Sequence, residues 1–486
     1  MTGNREKELL LWCARSRLDA GGKARIRGLA QYGVDWTYLL ALALSHRVMP
    51  LVWSRLEQLC AETVPQRLAL YLRRFYRDNA RGNLHVAGEL VNILNRLDAC
   101  EVRAIPLNGP FLSAAVYGDL ALGQFHSVDV LIHLRDVGAV EAVLAGRGYR
   151  GRSKPVGGLR FERNVDKLVL DLRWDLLLGL DRVLEQSQPR DRSRPPGLSA
   201  EDSLLFACVD AAGRAWNRLR SISHAAHLLN RYPEMDLARV LKRARGVGAE
   251  RMVRVGLLLA RDLLGAELRL PFRLDSDWPS VLAAKLAQRR FFEDENCTES
   301  AWDDLFLQFL VRERTRDRIR FGLQCFRSDR TRPGLAGFQP TPMETVRAML
   351  ALAEVGPADV VYDLGCGDGR IPIEAARLCG AAGVGVDSDP RRIQQAKRNA
   401  ASADVTDSVS FIRQDALVAD LRRATVVTLY LPLASNLRLR RKLQNELRPG
   451  ARVVSRCSDM ADWTALRADA VRRSDGSVDQ IYLWTI

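Results

Sequence analysis

Apolar residues recur every three or four positions through the first hundred residues, as in "WTYLLALALSHRVMPLVWSRLEQL" and "VPQRLALYLRRFYRDNARGNLHVAGELVNILNRLDAC". That period keeps apolar side chains on one face of a helix, so 1–100 is predicted to be helical. From residue 102 the period changes. Short β-like runs ("VRAIPL", "VDVLIHL", "KLVLDLRW") alternate with helical ones ("PFLSAAVY", "DVGAVEAVLAGRGY"), which predicts a mixed α+β core over 101–190. The polar stretch "EQSQPRDRSRPPG" reads as a loop, and 191–328 returns to a helical pattern. "SDRTRPGLAGFQPTP", rich in Pro and Gly, places a linker at 329–340. Strands and helices then alternate to the end over 341–486, the mark of a helix-covered parallel sheet and an α/β fold.

Composition changes this picture in three places. At 486 residues the chain exceeds what one core sustains. Its nine cysteines form no CxxC pair, which points to a reducing compartment and to no structural metal. The opening "MTGNREKELLLWCARSR" reads as neither a secretory signal nor a transit peptide, and no run approaches the roughly 18 apolar residues of a membrane span. A cytoplasmic protein is expected. The net charge of +15 is uneven: residues 341–486 hold 20 basic and 18 acidic residues, leaving 53 against 40 ahead of them out of 73 against 58 in all. Arginines at 312, 314, 316, 318 and 320 dominate "VRERTRDRIR". Their spacing spreads them around a helix, and no aromatic residues interleave them. They read as a solvated connecting helix, and nucleic acid is not the expected partner.

Candidate chemistry gathers at "DVVYDLGCGDGRIPIEAA", where Gly365, Gly367 and Gly369 lie between an apolar run and a helical one. Glycine lets the backbone turn sharply and a ligand approach without a Cβ in the way. The spacing is G-x-G-x-G rather than the dinucleotide G-x-G-x-x-G, and Asp368 inside the turn suits a cationic ligand better than a pyrophosphate. The next strand, "AGVGVDSDP", brings Asp387, placed to accept ribose hydroxyls. "SVSFIRQDAL" brings Asp415, a partner for an adenine amino group, and "ATVVTLYLPLASN" ends in Tyr430, Leu431 and Pro432. All lie at the carboxyl ends of strands, the edge where open α/β sheets bind ligands.

These residues resemble a family. Residues 335–486 are similar to the seven-strand, Rossmann-like S-adenosylmethionine-dependent methyltransferases. Within them, "FQPTPMETVRAML", "VVYDLGCGDGRI", "GVGVDSDP", "LRPGARVVSR" and "DMADW" resemble relatives of the lysine methyltransferase of the ATP synthase c subunit. The resemblance implies S-adenosylmethionine as cofactor. Asp363, Gly365, Gly367 and Gly369 would hold its methionine end, Asp387 its ribose, and Asp415 with Ala416 its adenine. Cys366 and Ser388 complete the implied binding set, and Phe338–Pro342 would fold over it. Tyr430 is the candidate catalytic residue, lining the acceptor channel. The implied acceptor is a nitrogen of a protein or peptide side chain, with a small-molecule acceptor as the alternative. Two departures fall on that side: "LYLPL" where relatives tend to read "LYLLP", and Arg456 where a His is common.

The preceding part, through "IPLNGPFLSAAVYGDLALGQFHSVDVLIHL" and "FERNVDKLVLDLRWDLL", resembles a bacterial nucleotidyltransferase-fold family over about 330 residues. That family holds two Mg²⁺ ions on D-x-D plus a third carboxylate. Here the first carboxylate position is Ser127, leaving Asp129, with Asp171 as the third. Asn108 replaces a lysine, Gly123–Gln124 an arginine, Arg173 a histidine and His224 an aspartate. So eroded a set implies an inactive fold kept for binding a substrate or for assembly; the alternative is a bifunctional enzyme that still transfers nucleotides. His126 and His133, seven residues apart, are expected on opposite strand faces and sharing no metal.

Overall fold

The computed structural model describes residues 3–125, 127–153, 158–163, 165–166, 168–174, 198–270, 273–292, 300–328 and 340–486. The linker placed at 329–340 lies outside these residues except for Pro340. So do Phe338, the polar loop at 185–197 and His126. The chain forms two compact units: Met1–Asp35 with Ser45–Gly322, and Trp36–Leu44 with Leu323–Ile486.

The first unit is built on a five-stranded sheet in the order β1-β2-β5-β4-β3, with β1 Ala104–Pro106, β2 Val128–Ile132, β3 Arg150–Ser153, β4 Gly158–Arg163 and β5 Leu168–Arg173. β2 and β5 run parallel and set Asp129 opposite Asp171. Every residue of β2 is buried. Val128, Val130 and Ile132 pack against Leu90, Ile93, Leu94 and Leu97 of the 34-residue helix Gln66–Ala99. Leu131 packs on the other side with Leu107 and Phe206. Because side chains alternate along a strand, Asp129 shares the face of Leu131 and looks away from the long helix. Further helices complete this unit, among them Ala200–Gly213, Leu219–Arg231 and Glu250–Leu264.

The second unit carries a seven-stranded sheet in the order β11-β12-β10-β9-β6-β7-β8. Its strands are β6 Val360–Leu364, β7 Ala382–Asp387, β8 Val409–Arg413, β9 Val426–Leu429, β10 Arg452–Arg456, β11 Arg467–Arg472 and β12 Val478–Thr485. β10, β9, β6, β7 and β8 are parallel, and β12 runs antiparallel to both its neighbours. On one face Val361, Val426 and Val454 pack with the helices Met343–Leu352 and Arg370–Cys379. On the other, Leu364, Val427 and Val453 pack with Leu439 and Leu443 of the helix Leu433–Glu446. The order reverses at β6, so the crevice beyond the carboxyl ends opens there, where the glycine loop leaves the sheet.

Gly385 in β7, silent in the motif reading, is required by packing. A Cβ there would meet Phe411 Cδ1 at 2.5 Å and Cys366 Sγ at 2.8 Å. Gly385→Ala should lower stability by about 2–3 kcal/mol. Gly356→Ala, with nothing within 4 Å, should stay within about 0.5 kcal/mol of the parent. Urea unfolding of both variants checks the pair.

Candidate functional site

β6 ends at Leu364, and the chain turns into the helix Arg370–Cys379 through a loop whose glycines adopt left-handed φ values: +84° at Gly365, +55° at Gly367 and +78° at Gly369. The tip of β7 holds this loop. Val386 O accepts from Gly365 N (2.8 Å) and from Cys366 N (3.0 Å), and Asp387 Oδ2 accepts from Gly367 N at 3.0 Å. Asp387 Oδ1 accepts from Asp389 N at 2.9 Å. A carboxylate offers about four acceptor sites, so Asp387 keeps capacity for two hydroxyls after anchoring the loop.

Asp363 is buried, and its Oδ1 accepts from Thr428 Oγ1 at 2.8 Å. Burial pushes its carboxyl up to about 7 against that hydrogen bond, and the charges of Asp387 and Asp368 add to the rise. A carboxylate held so close to its neutral form is a site that a cationic ligand would ionise. Asp415 stands two residues beyond β8, half-buried, its Oδ1 accepting from Leu417 N at 2.8 Å. Ala416 beside it packs at the edge of the core, and Ser388 is exposed.

Three of the expected residues also have roles within the fold. Cys366 lies in a cluster with Ile373, Ile393, Ala396 and Phe411, and burial pushes its thiol up. A Cβ on Gly369 would press on Phe411 and Ala396 at 2.7 and 2.8 Å, so packing as well as the turn demands glycine there. The Asp368 carboxylate is taken by Arg370, through Nε at 2.9 Å and Nη2 at 2.5 Å. Arg370 Nη1 also donates to Thr341 O at 2.8 Å, tying the segment ahead of the helix Met343–Leu352 to the loop.

Beyond β9, Tyr430 is half-buried, and the Arg456 guanidinium sits 4.1 Å from its ring centre. Arg456 is itself buried and pairs in a fork with Asp479 at 3.0 and 3.1 Å, while Asp479 also accepts from Thr345 Oγ1 at 2.7 Å. Burial pushes the Tyr430 phenol up while Arg456 opposes the rise, so it stays protonated at neutral pH. Ser458 Oγ donates to Leu431 O at 3.0 Å, joining the segments beyond β9 and β10. Sequence reasoning missed Thr428, Arg370 and Asp479. Thr428, a polar residue inside the apolar run "ATVVTLY", carried a signal, as did Arg370, two residues after Asp368; Asp479 pairs with Arg456 and Thr345, to which no spacing relates it.

In the first unit the two remaining carboxylates are neutralised internally. Asp129 accepts from Arg173 Nε at 2.8 Å and from Asn108 Nδ2, and its own N–H donates to Asn108 Oδ1 at 2.8 Å. Asp171 forms a fork with Arg160, both bonds 2.9 Å. Burial pushes the Asp129 carboxyl up, Arg173 opposing. Residues at the Asn108 and Arg173 positions, one of them a cation, thus occupy Asp129, while Arg160 occupies Asp171. His224 is buried, and burial pushes its imidazole down. Of the arginine series, Arg312 lies over Phe321 at 4.1 Å, Arg314 donates to Gly246 O at 2.5 Å and Arg318 to Arg312 O at 2.7 Å, while Arg316 is exposed. Among the described residues no group of three His, Cys, Asp or Glu could hold a metal, and no helix is long and apolar enough to cross a membrane.

Comparison with known proteins matches both parts. Residues 32–265 fit the family described as an uncharacterised nucleotidyltransferase, and residues 363–467 fit the ANTKMT methyltransferase domain. A protein-lysine N-methyltransferase of Saccharolobus islandicus is 39% identical over 151 residues, 31% of this chain and 92% of that protein. The adenine nucleotide translocase lysine N-methyltransferase of Mus musculus is 36% identical over 119 residues, 24% of this chain and 51% of that protein. A solved RNA methyltransferase of Salinibacter ruber, in complex with S-adenosylhomocysteine, is 47% identical over 30% of this chain and 94% of that chain, with a TM-score of 0.29.

The raised Asp363 carboxyl sets a sign for pH dependence. Between the ordinary carboxylate range and about pH 7 the folded protein holds a proton that the unfolded chain does not. Stability of the ligand-free protein should therefore fall as pH rises through that window. A ligand carrying an ammonium group favours the ionised form. Affinity for S-adenosylhomocysteine should then drop about tenfold from pH 8 to pH 6, and Asp363→Asn should flatten the dependence. Calorimetric titration at the two pH values measures it.

Proposed function

We propose that this chain, which belongs through its C-terminal unit to the S-adenosylmethionine-dependent methyltransferases of the ANTKMT family, methylates a nitrogen on a protein or peptide side chain. In this reading the N-terminal nucleotidyltransferase-like unit transfers no nucleotide and serves acceptor binding or assembly. The observation that carries the cofactor assignment is Asp387, which anchors Gly367 and keeps acceptor sites to spare. Its partners in the proposal are Asp363 with the glycine loop for the methionine end, Ser388 beside the ribose, and Asp415 with Ala416 for the adenine. The donor set fits: acidic, partly desolvated groups face a ligand that is cationic at sulfur and at its amine.

When bound, S-adenosylmethionine supplies a methyl group on a sulfonium, a strong leaving system. The chain's own share is positioning and a dry approach. Left-handed glycines bring the backbone close to the ligand. Tyr430 forms a wall of the acceptor channel, and the stack and fork through Arg456, Asp479 and Thr345 hold that wall still. A lysine acceptor must arrive unprotonated, and a low-dielectric mouth favours its neutral form. The protonated phenol of Tyr430 is not a base, so it contributes shape and a hydrogen bond.

Lysine acceptors in two relatives support the protein reading. The test is to incubate the chain with radiolabelled methyl donor and cell extract, then digest separately with protease and with ribonuclease. Label removed by protease is expected; label removed only by ribonuclease would overturn the acceptor class. Asp387→Ala should abolish labelling and S-adenosylhomocysteine binding together. Tyr430→Phe should retain activity within about tenfold, the scale of one lost hydrogen bond, and Tyr430→Ala should lose more. No Mg²⁺-dependent ATP binding is expected by calorimetry. Such binding, if lost in Asp129→Ala, would show a working nucleotidyltransferase site.

A further inference from the structure

The first unit carries a cavity of about 340 Å³, open to solvent, that neither the surviving acidic pair nor the methyltransferase residues line. Its walls come from the helix Met49–Cys60, the end of the helix Pro110–Tyr117 and the last turn of the helix Leu219–Arg231. Arg55 and Arg231 line it, and no carboxylate does. Arg55 Nε is buried without a hydrogen-bond partner, and neither arginine enters an ion pair among the described residues. Withdrawing a guanidinium from water without a counter-charge is unfavourable. Arg55 is partly withdrawn in this way and Arg231 is exposed; both line one cavity with no carboxylate beside them among the described residues, so their anion is left to come from outside.

The remaining lining narrows the ligand. His227 is buried, and burial pushes its imidazole down to about 4, so it is neutral. Its Nδ1 lies 2.8 Å from Ser223 O, which fixes the proton there and leaves Nε2 as an acceptor. Asn230 Oδ1 is buried without a partner, a second acceptor in want of a donor. Ser54 and Gln58 add polar side chains to the same lining. Gly118, at φ +76°, leaves room for Arg231: a Cβ there would meet its Nη1 at 2.7 Å. Donors that carry charge thus face acceptors that need hydroxyls.

We propose that this cavity binds a small phosphomonoester bearing free hydroxyl groups, with Arg55 and Arg231 on the phosphate and His227 and Asn230 accepting from the hydroxyls. The volume suits a phosphorylated sugar. The site is independent of the acidic pair at Asp129 and Asp171, and it requires no divalent metal.

Calorimetric titration of the full chain, without Mg²⁺, tests this with ribose 5-phosphate, inorganic phosphate and ribose as probes. Ribose 5-phosphate should bind best, phosphate more weakly and ribose undetectably. Arg55→Gln and Arg231→Ala should each weaken ribose 5-phosphate at least about tenfold, the scale of one charge-assisted contact. Asn230→Asp, which sets a negative charge in the cavity, should abolish binding. Thermal melts verify that each variant is folded; Arg231 is exposed, so its loss leaves the core untouched. Asp129→Asn and Asp387→Ala should leave ribose 5-phosphate binding unchanged. No binding at millimolar concentration, equal affinity for phosphate and its ester, or unaltered affinity in folded Arg55→Gln and Arg231→Ala would overturn the proposal.

Discussion

The second unit hangs on the hydrogen bonds by which the tip of β7 grips the glycine loop. Val386 O takes the N–H groups of Gly365 and Cys366, and Asp387 takes that of Gly367. Three consecutive donors or near neighbours are thereby fixed to the adjacent strand, and the helix that follows must start where they end. Left-handed φ values at Gly365 and Gly367 are the condition for that path. Gly383 and Gly385 in β7 are the condition for the layers to close over it, since Pro372, Phe411 and Cys366 fill the space their side chains would need. Binding geometry and packing therefore rest on the same few residues.

Both units place acidic side chains on parallel strands, yet the consequences differ. In the second unit Asp363 and Asp387 meet backbone N–H groups and a hydroxyl at hydrogen-bond distance, with Arg392 no nearer to Asp387 than 3.7 Å, and the Asp363 charge is suppressed by burial. In the first unit Asp129 and Asp171 meet Arg173 and Arg160. A guanidinium supplies a positive charge and directional donors where a metal would need open carboxylate oxygens. The substitution stabilises the buried acids and removes the ligands for a cation in one step. Among the described residues the same unit pairs neither Arg55 nor Arg231, which line one cavity, with a carboxylate.

Much of this was legible in the sequence because it rests on local or near-local signals. The switch of apolar period near residue 102, the strand–helix alternation after 341, and the run of glycines followed by Asp387 are each dictated by backbone geometry that neighbouring residues share. The erosion at Ser127 and Asn108 was visible for the same reason: a metal site needs particular side chains at particular positions, and their replacement needs no fold to be noticed.

What the sequence alone determined is the order of elements, the nucleoside-binding edge and the loss of the acidic triad. The tertiary structure decided which groups are spent. Asp368 pairs with Arg370, Gly369 leaves room for Phe411, and Cys366 packs in the core, roles that the motif alone did not show. Tyr430 acquires its rigidity from Arg456 and Asp479, 26 and 49 positions away in the chain. The cavity between the helices Met49–Cys60 and Leu219–Arg231 left no trace in any motif. The reason is physical: a hydrogen bond or a charge pair is a relation between two points in space. A pattern along one strand or one turn fixes only the points that the backbone itself keeps close.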